Sequence, residues 1–344
     1  LSMLKQALKK LMDRKTLTEA ESYQVMEEIL SGKATAAQIS SFISILTYRG
    51  VEVEELTGLA RAMRERALPV RLEIDRPVVD TCGTGGDGAK TFNISTASAI
   101  VVASAGVPVA KHGNRAASSL SGSADVLEVL GLPVEMTPAA ITKALEQFNM
   151  CFMFAPIYHQ AMKYAAGPRK EIGFRSVFNL LGPLTNPAGI KHQVIGLFDD
   201  SYSEKVARTL HQLGARHVLI VAGEDGLDEL SVSAPTRVTE LKDGQLSRYR
   251  VTPEAFGLGR HPLSAIQVES AEESAEFILN VLSGQDKGAA YDIVCFNAGA
   301  ALYVGQKVPT LAEGIQLAKG LIDSGQAYQH YQDMIKNKEA IRYA

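Results

Sequence analysis

Cysteine is scarce in this chain: Cys82, Cys151 and Cys295 are the only three in 344 residues. They are too few and too scattered for a disulfide framework or a zinc-ligand set. They read instead as small buried hydrophobes, and a reducing, cytoplasmic setting is expected. Long apolar runs are also missing. The most apolar stretch, Ala97 to Ala110, is short and interrupted by Gly106 and Pro108, and the amino terminus alternates Leu with Lys. Neither a membrane span nor an export signal is expected, and Leu1 and Ser2 are expected to precede the natural start at Met3. Charge of one sign is lacking as well. A formal net charge of −3 leaves no basic footprint for nucleic acid or anionic lipid, so neither partner is expected. There is no internal repeat or low-complexity tract. With 46% hydrophobic and 21% charged residues, the composition is that of a soluble globular protein, and the length favours about two domains.

Residues 3 to 68 read as helices throughout. Leu4, Leu8, Leu11 and Met12 recur at helical spacing, and Thr18 with Glu21 forms a capping box ahead of Val25, Met26, Ile29 and Leu30. Thr35 with Gln38 repeats the pattern before Ile39, Phe42, Ile43 and Leu46, and Leu56, Leu59, Ala60 and Met63 make one more stripe. A small helical domain over residues 1–70 is expected, with its Met and aromatic positions as core and no chemistry of its own. Pro69 to Pro77 has the composition of a connection and is a candidate hinge.

From residue 74 to 344 strands alternate with helices, which predicts a larger α/β domain with a mainly parallel sheet. Expected strands are one ending at Val78 and Val79, then Val107 to Ala110, Cys151 to Phe154, Val194 to Phe198 and His217 to Val221. Expected helices include Ile94 to Ala105, Pro138 to Asn149 and Ser203 to Leu213. Arg237 to Leu241 and Gln245 to Val251 read as a hairpin, and Ala271 to Leu282, Ala289 to Leu302 and Leu311 to Ser324 as closing helices.

The stretch from Asp80 to Asp125 carries the chemistry. A strand, a loop with Gly83, Gly85, Gly86 and Gly88, and a helix follow in order. Glycines let backbone approach a ligand, and a helix start offers free N–H groups and a positive dipole end, a setting that favours phosphate. The same glycines would also serve a tight turn. Gly83, Gly85 and Gly88 satisfy the spacing of a dinucleotide loop, but Val107 to His112, where its ribose-binding acid should fall, holds Lys111 and His112 and no carboxylate. Ala89 separates Gly88 from Lys90 and Thr91, which breaks the P-loop spacing. What remains is another kind of phosphate loop. Thr91, Asn93, Ser95 and Thr96 add hydroxyl and amide groups, and Lys111 and Arg115 add charge, for a polyanionic ligand.

Two later stretches add candidates. Residues 165–188 are rich in glycine and proline and carry Arg169, Lys170 and Arg175. Arginine can grip a planar carboxylate with a bidentate fork, and solvated surface arginines are the alternative. Asp228 and Glu229 follow a predicted strand end as hard oxygen ligands suited to Mg²⁺, or as a solvated acidic pair.

Four motifs carry a family resemblance: CGTGGD (82–87), NIST (93–96), KHGNR (111–115) and GSAD (122–125). In this order they resemble the signature loops of the anthranilate phosphoribosyltransferases, and the likeness extends over nearly the whole chain. Leu120 departs from it, standing where the family often has a basic residue.

The resemblance implies a nucleoside phosphorylase/phosphoribosyltransferase type of fold, with 165–188 packing back on the helical domain. It implies transfer of the phosphoribosyl group of phosphoribosyl pyrophosphate (PRPP) to anthranilate in tryptophan synthesis. PRPP would be bound by Gly83, Gly86, Asp87, Thr91, Asn93, Ile94, Ser95, Thr96, Lys111, His112, Gly113, Asn114, Arg115, Ala116, Ala117, Ser118, Ser119 and Ser123. Anthranilate would be bound by Gly83, Asn114 and Arg169, with His112 and His159 as further polar contacts or as structural histidines. Two Mg²⁺ ions would be held through Ser95, Asp228 and Glu229, and the protein would be a homodimer. No residue is assigned as a general base, since an arylamine is already uncharged at neutral pH. A pyrimidine nucleoside phosphorylase shares the organisation but needs no acidic metal pair. A non-catalytic nucleic-acid-binding homologue would need strong positive charge.

Overall fold

Capped helices build the first layer of the molecule. The computed structural model describes residues 2–85, 87–116 and 120–342. The helical reading of residues 3 to 68 becomes α1 (Met3–Met12), α2 (Glu19–Leu30), α3 (Ala36–Arg49) and α4 (Val53–Arg66). Both capping boxes form. Thr18 Oγ1 accepts from the Glu21 N–H at 3.1 Å while Glu21 accepts from the Thr18 N–H at 2.9 Å. Thr35 and Gln38 make the same exchange at 3.2 and 3.0 Å. These bonds satisfy donors that a first helical turn leaves without partners. Thr35→Ala is expected to lower the unfolding free energy by about 1 kcal/mol, read as a lower urea midpoint at unchanged slope. A midpoint equal to wild type would show that water caps α3 as well as the threonine does.

The strands form one seven-stranded sheet in the order β3-β2-β1-β4-β5-β6-β7. They are β1 (Val79–Gly83), β2 (Val109–Gly113), β3 (Met150–Phe154), β4 (His192–Gly196), β5 (His217–Gly223), β6 (Thr236–Lys242) and β7 (Gln245–Val251). The first five run parallel, and β6 and β7 are antiparallel. The β6–β7 turn has Asp243 at φ 48° and Gly244 at φ 81°, the left-handed pair that a two-residue hairpin requires.

Around the sheet lie α5 (Ile94–Ser104), α6 (Ser123–Val129), α7 (Pro138–Phe148), α8 (Ala155–Tyr158), α9 (Lys163–Ile172), α10 (Leu181–Leu184), α11 (Ser203–Gln212), α12 (Ala271–Leu282), α13 (Ala289–Val304), α14 (Leu311–Asp323) and α15 (Gln326–Arg342).

Several strand boundaries differ from the sequence reading, β4 lying two residues earlier at His192–Gly196 and β5 running two residues further to Gly223. β1 starts at Val79 where the predicted strand ended, and β2 runs on through Lys111 and His112. Apolar periodicity stops at polar residues, but the carboxyl ends of parallel strands are where this fold places them. Helix α15 was not anticipated. It buries Ala327, Met334 and Ile341, a stripe too sparse to stand out.

The sheet divides two apolar cores. Along β5, Leu219 and Val221 face one core while Val218 and Ile220 face the other, as a period of two demands. The first core is closed by α5, α6, α7 and α12 to α15. The second joins the bundle to α11 and to Ala165, Val177, Phe178, Leu180, Leu181 and Leu184. The stretch 165–188, polar by composition, thus buries its large apolar side chains with the bundle. The connection 69–77 is packed too. Val70 is buried and Leu72 and Ile74 lean on the first core at alternate positions.

The chain leaves β1 for β2 and β3 on one side and returns to β4 on the other. Ligands of open α/β sheets bind beyond the carboxyl ends of the strands at such a reversal.

Candidate active site

Glycine ends both strands at the reversal because another segment crosses them. A Cβ on Gly83 would stand 2.5 Å from Asp228 Oδ2, and one on Gly196 would collide with the Asp228 carbonyl oxygen. The loop after β5 is therefore laid over the ends of β1 and β4. The Gly85 N–H donates to Asp228 Oδ2 at 3.0 Å, and the Asp228 N–H donates to Asp87 Oδ2 at 3.3 Å. Asp87 Oδ1 accepts from the Ala89 N–H at 2.9 Å. Gly85 and Gly88 sit at φ 69° and 72°, where a side chain would be strained. Gly86 lies outside the described residues.

This crossing gathers like charges. Burial first, and then the charge of Asp87, raise the Asp228 carboxyl to about 8. Burial and the charge of Asp228 push Glu229 well above the carboxylate range, against the pull of Lys111. A hard cation would relieve this repulsion. Among the described residues no group of three or more His, Cys, Asp or Glu side chains could hold an ion alone. That donor set fits Mg²⁺, which takes one or two carboxylates and fills its shell with water and substrate phosphate.

The start of α5 is open to an anion. Asn93 precedes it without capping it through its side chain; the Ile94 N–H donates to the Phe92 carbonyl at 2.8 Å, which leaves the Ser95 and Thr96 N–H groups as the positive end of the helix. Asn93 itself is occupied. Its Oδ1 accepts from Ser274 at 2.7 Å and Ser121 at 2.9 Å, and its Nδ2 donates to the Ser121 carbonyl at 3.0 Å. It therefore staples the glycine loop to α12 and to the loop before α6. Thr91 bridges to Gln267, Ile94 is buried, and Thr96 is buried with its Oγ1 unpartnered among the described residues.

Lys111, expected beside phosphate, is engaged within the protein. It is 2% exposed, and its ammonium donates to the Thr81 carbonyl at 2.5 Å and to Ser95 Oγ at 3.1 Å. Ser95 keeps a lone pair for a cation. Arg115 donates to both Glu128 oxygens at 2.9 and 2.5 Å, over the Phe154 ring. These are exposed pairs of the kind that contribute little and exchange readily. Asp125 folds the loop back, accepting from the Ala116 and Gly122 N–H groups at 2.8 and 2.9 Å. Asn114 Oδ1 accepts from the Arg115 N–H at 2.8 Å, and Ser123 Oγ lies against Gly113. Ala117, Ser118 and Ser119 lie outside the described residues.

The histidines and Arg169 belong to the other side of the site. The His112 and His159 rings stand 5.3 Å apart. His159 Nε2 meets the Thr185 carbonyl at 2.7 Å, and a Gly182 backbone contact accompanies His112. Burial lowers His112 to about 3, so the ring is neutral, and its Nε2 has no partner among the described residues. The guanidinium of Arg169, half-buried in the last turn of α9, forms no hydrogen bond or ion pair with any described residue. Burial pulls its pKa down, with no neighbouring charge to offset it. Arg175 instead stacks 3.9 Å over Phe198. Sequence reasoning missed Asp87 as a member of the acidic cluster and Asp125 as a loop clamp. Asp87 could have been suspected from its place in the loop, whereas nothing in the spacing points to the second role.

A helical bundle on one face of a mainly parallel sheet, with a glycine loop and an acidic pair meeting at the strand-order reversal, defines a class of pentosyl-transferring enzymes. The description "Glycosyl transferase family, a/b domain" matches residues 75–328, and "Glycosyl transferase family, helical bundle domain" matches residues 5–67. The anthranilate phosphoribosyltransferase of Geobacillus sp. strain WCH70 is 54% identical over 99% of this chain and all of its own. The crystal structure of the Thermus thermophilus enzyme superposes with a TM-score of 0.91 at 41% identity, covering 100% of both chains. The Saccharomyces cerevisiae enzyme, solved with PRPP and Mg, gives 0.88 at 27% identity over 98% of both chains, and it has also been solved with 4-fluoroanthranilate. This chain belongs to the anthranilate phosphoribosyltransferase family.

Proposed function

We propose that this chain transfers the phosphoribosyl group of PRPP to the amine of anthranilate, forming N-(5-phosphoribosyl)anthranilate and pyrophosphate for tryptophan synthesis. One observation carries the reading: the Asp228 carboxylate, delivered from the loop after β5, rests on the Gly85 N–H of the glycine loop. The diphosphate loop and the acidic pair thus act on one ligand. Following anthranilate fluorescence with the protein, PRPP and Mg²⁺ tests it, and unchanged fluorescence at saturating substrates would sink it.

Departure of pyrophosphate leaves positive charge on the ribose and negative charge on the leaving oxygens. The first-turn N–H groups of α5 and the loop backbone face the diphosphate, and the buried charge of Lys111 favours anion binding from behind. Mg²⁺, when bound, neutralises the leaving oxygens. Asp228, Glu229 and Ser95 would hold it, with a second ion proposed from the family, and Asp87 beside them. Arg169 grips the anthranilate carboxylate, while Asn114 and the neutral His112 and His159 line the approach of the amine. Placement then does the work, because the amine needs no strong base.

The bundle and the α/β unit close on the substrates at 69–77 and 165–188, keeping water from the ribosyl centre. X-ray scattering should show compaction when PRPP and Mg²⁺ are added, and superimposable curves at saturation would refute closure. We also propose a cytoplasmic homodimer formed through the bundle. Its surface leaves Tyr48 and Met12 at 96% and 71% exposure, large side chains that an interface would cover. A monomeric mass by light scattering at micromolar concentration would count against it.

A further inference from the structure

We propose that Asp80 and Asn186 are positioning residues for the carboxyl end of β2, and above all for Lys111, an inference that rests on the phosphoribosyl transfer proposed above. Both side chains are buried, at 1% and 3% exposure. Asn186, which closes the 165–188 stretch, donates from Nδ2 to Asp80 Oδ2 at 2.9 Å and to the Ala110 carbonyl at 2.9 Å. Its Oδ1 accepts from the Ala188 N–H at 2.9 Å. Its Nδ2 thus spans the adjacent strands β1 and β2, while its Oδ1 ties back to its own loop. The bonded carbonyl belongs to the residue just before Lys111.

Asp80 is the acidic member of the clamp. Burial raises its carboxyl above the usual carboxylate range, and the Lys111 charge and the Asn186 hydrogen bond pull the other way. Lys111 is held on the other side by the Thr81 carbonyl and Ser95 Oγ. Its charge also acts on Glu229. A buried cation that loses a nearby opposite charge is left less compensated, and Glu229 is another carboxylate on which the Lys111 charge acts. Without the clamp, Lys111 would be drawn toward the carboxylates that Mg²⁺ needs, and Ser95 would lose its orienting donor. The clamp also fastens the returning crossing to the strand carrying the KHGNR loop, so the bundle's approach and the phosphate loop share one anchor.

The test is calorimetric titration of PRPP, with saturating Mg²⁺, into wild type, Asp80→Asn, Asn186→Ala and the double variant, beside steady-state kinetics. Each single change is expected to weaken PRPP roughly tenfold while the KM for anthranilate stays within about twofold. The double variant should be no worse than about twofold beyond the weaker single, because the two residues form one network. Asn186→Ala keeps the buried charges balanced and remains informative if Asp80→Asn does not fold. PRPP affinity unchanged in folded Asn186→Ala overturns the proposal. So does a double variant whose loss is the product of the singles, or equal loss of both substrates with a lowered melting point. Wild type that binds PRPP without consuming anthranilate would overturn the transfer reading, while the PRPP titrations still decide the clamp.

Discussion

Arg169→Ala is expected to raise the KM for anthranilate roughly 10- to 150-fold, equivalent to about 1.5–3 kcal/mol for a charge-assisted hydrogen bond, with PRPP affinity little changed. A half-buried guanidinium with no partner among the described residues carries a desolvation cost that nothing in the free protein offsets. Removing it should leave the thermal midpoint the same or slightly higher. A residue held by the fold would behave the other way, losing stability when truncated. Weaker PRPP binding with intact anthranilate kinetics would move Arg169 to the phosphate side, and a fall in melting point with unchanged kinetics would make it structural.

Asp228→Asn combined with Glu229→Gln should shift the Mg²⁺ requirement upward and lower turnover by an order of magnitude or more, since removing a group that stabilises developing charge typically costs ~10²-fold. The fold should survive, because neutral amides conserve volume and relieve the repulsion with Asp87. The same repulsion gives a pH signature. Burial and the Asp87 charge push the Asp228 carboxyl up to about 8 in the folded chain, above its unfolded value. Between roughly pH 4 and 8 the folded state therefore holds a proton that the unfolded state has released, and stability without metal should fall as pH rises through that window. Thermal midpoints in chelator should show this slope, and the double variant should lose most of it. Overlapping Mg²⁺ titrations of rate for variant and wild type would sink the assignment.

The helices of the bundle were legible to within a residue or two because their caps are local, as Thr18 with Glu21 and Thr35 with Gln38 show. The hairpin was legible because Asp243 and Gly244 fit only one kind of turn. β1 and β2 were misplaced where polar residues continue the strand, and α15 escaped because its buried positions are sparse. The glycine loop and the Asp228–Glu229 pair could each be picked out of the sequence, but their meeting could not. Gly85 meets Asp228 only because β4 and β5 carry the later loop across the reversal. That Lys111 is enclosed rather than pointing outward likewise follows from the Thr81 carbonyl and Ser95 Oγ, which are its neighbours only in space.

The second core has a consequence for synthesis. Helices α1 to α4 are complete once Arg66 has been made, yet the apolar side chains that finish their core extend from Ala165 to Leu241. At the 5–20 residues per second typical of translation, the bundle waits on the order of 10 s for its own interior. During that interval it presents an apolar face beside the ribosome. Nascent chains halted just after Arg66 should therefore engage chaperones, and release should come only as the stretch through Leu184, and then the sheet strands, emerges.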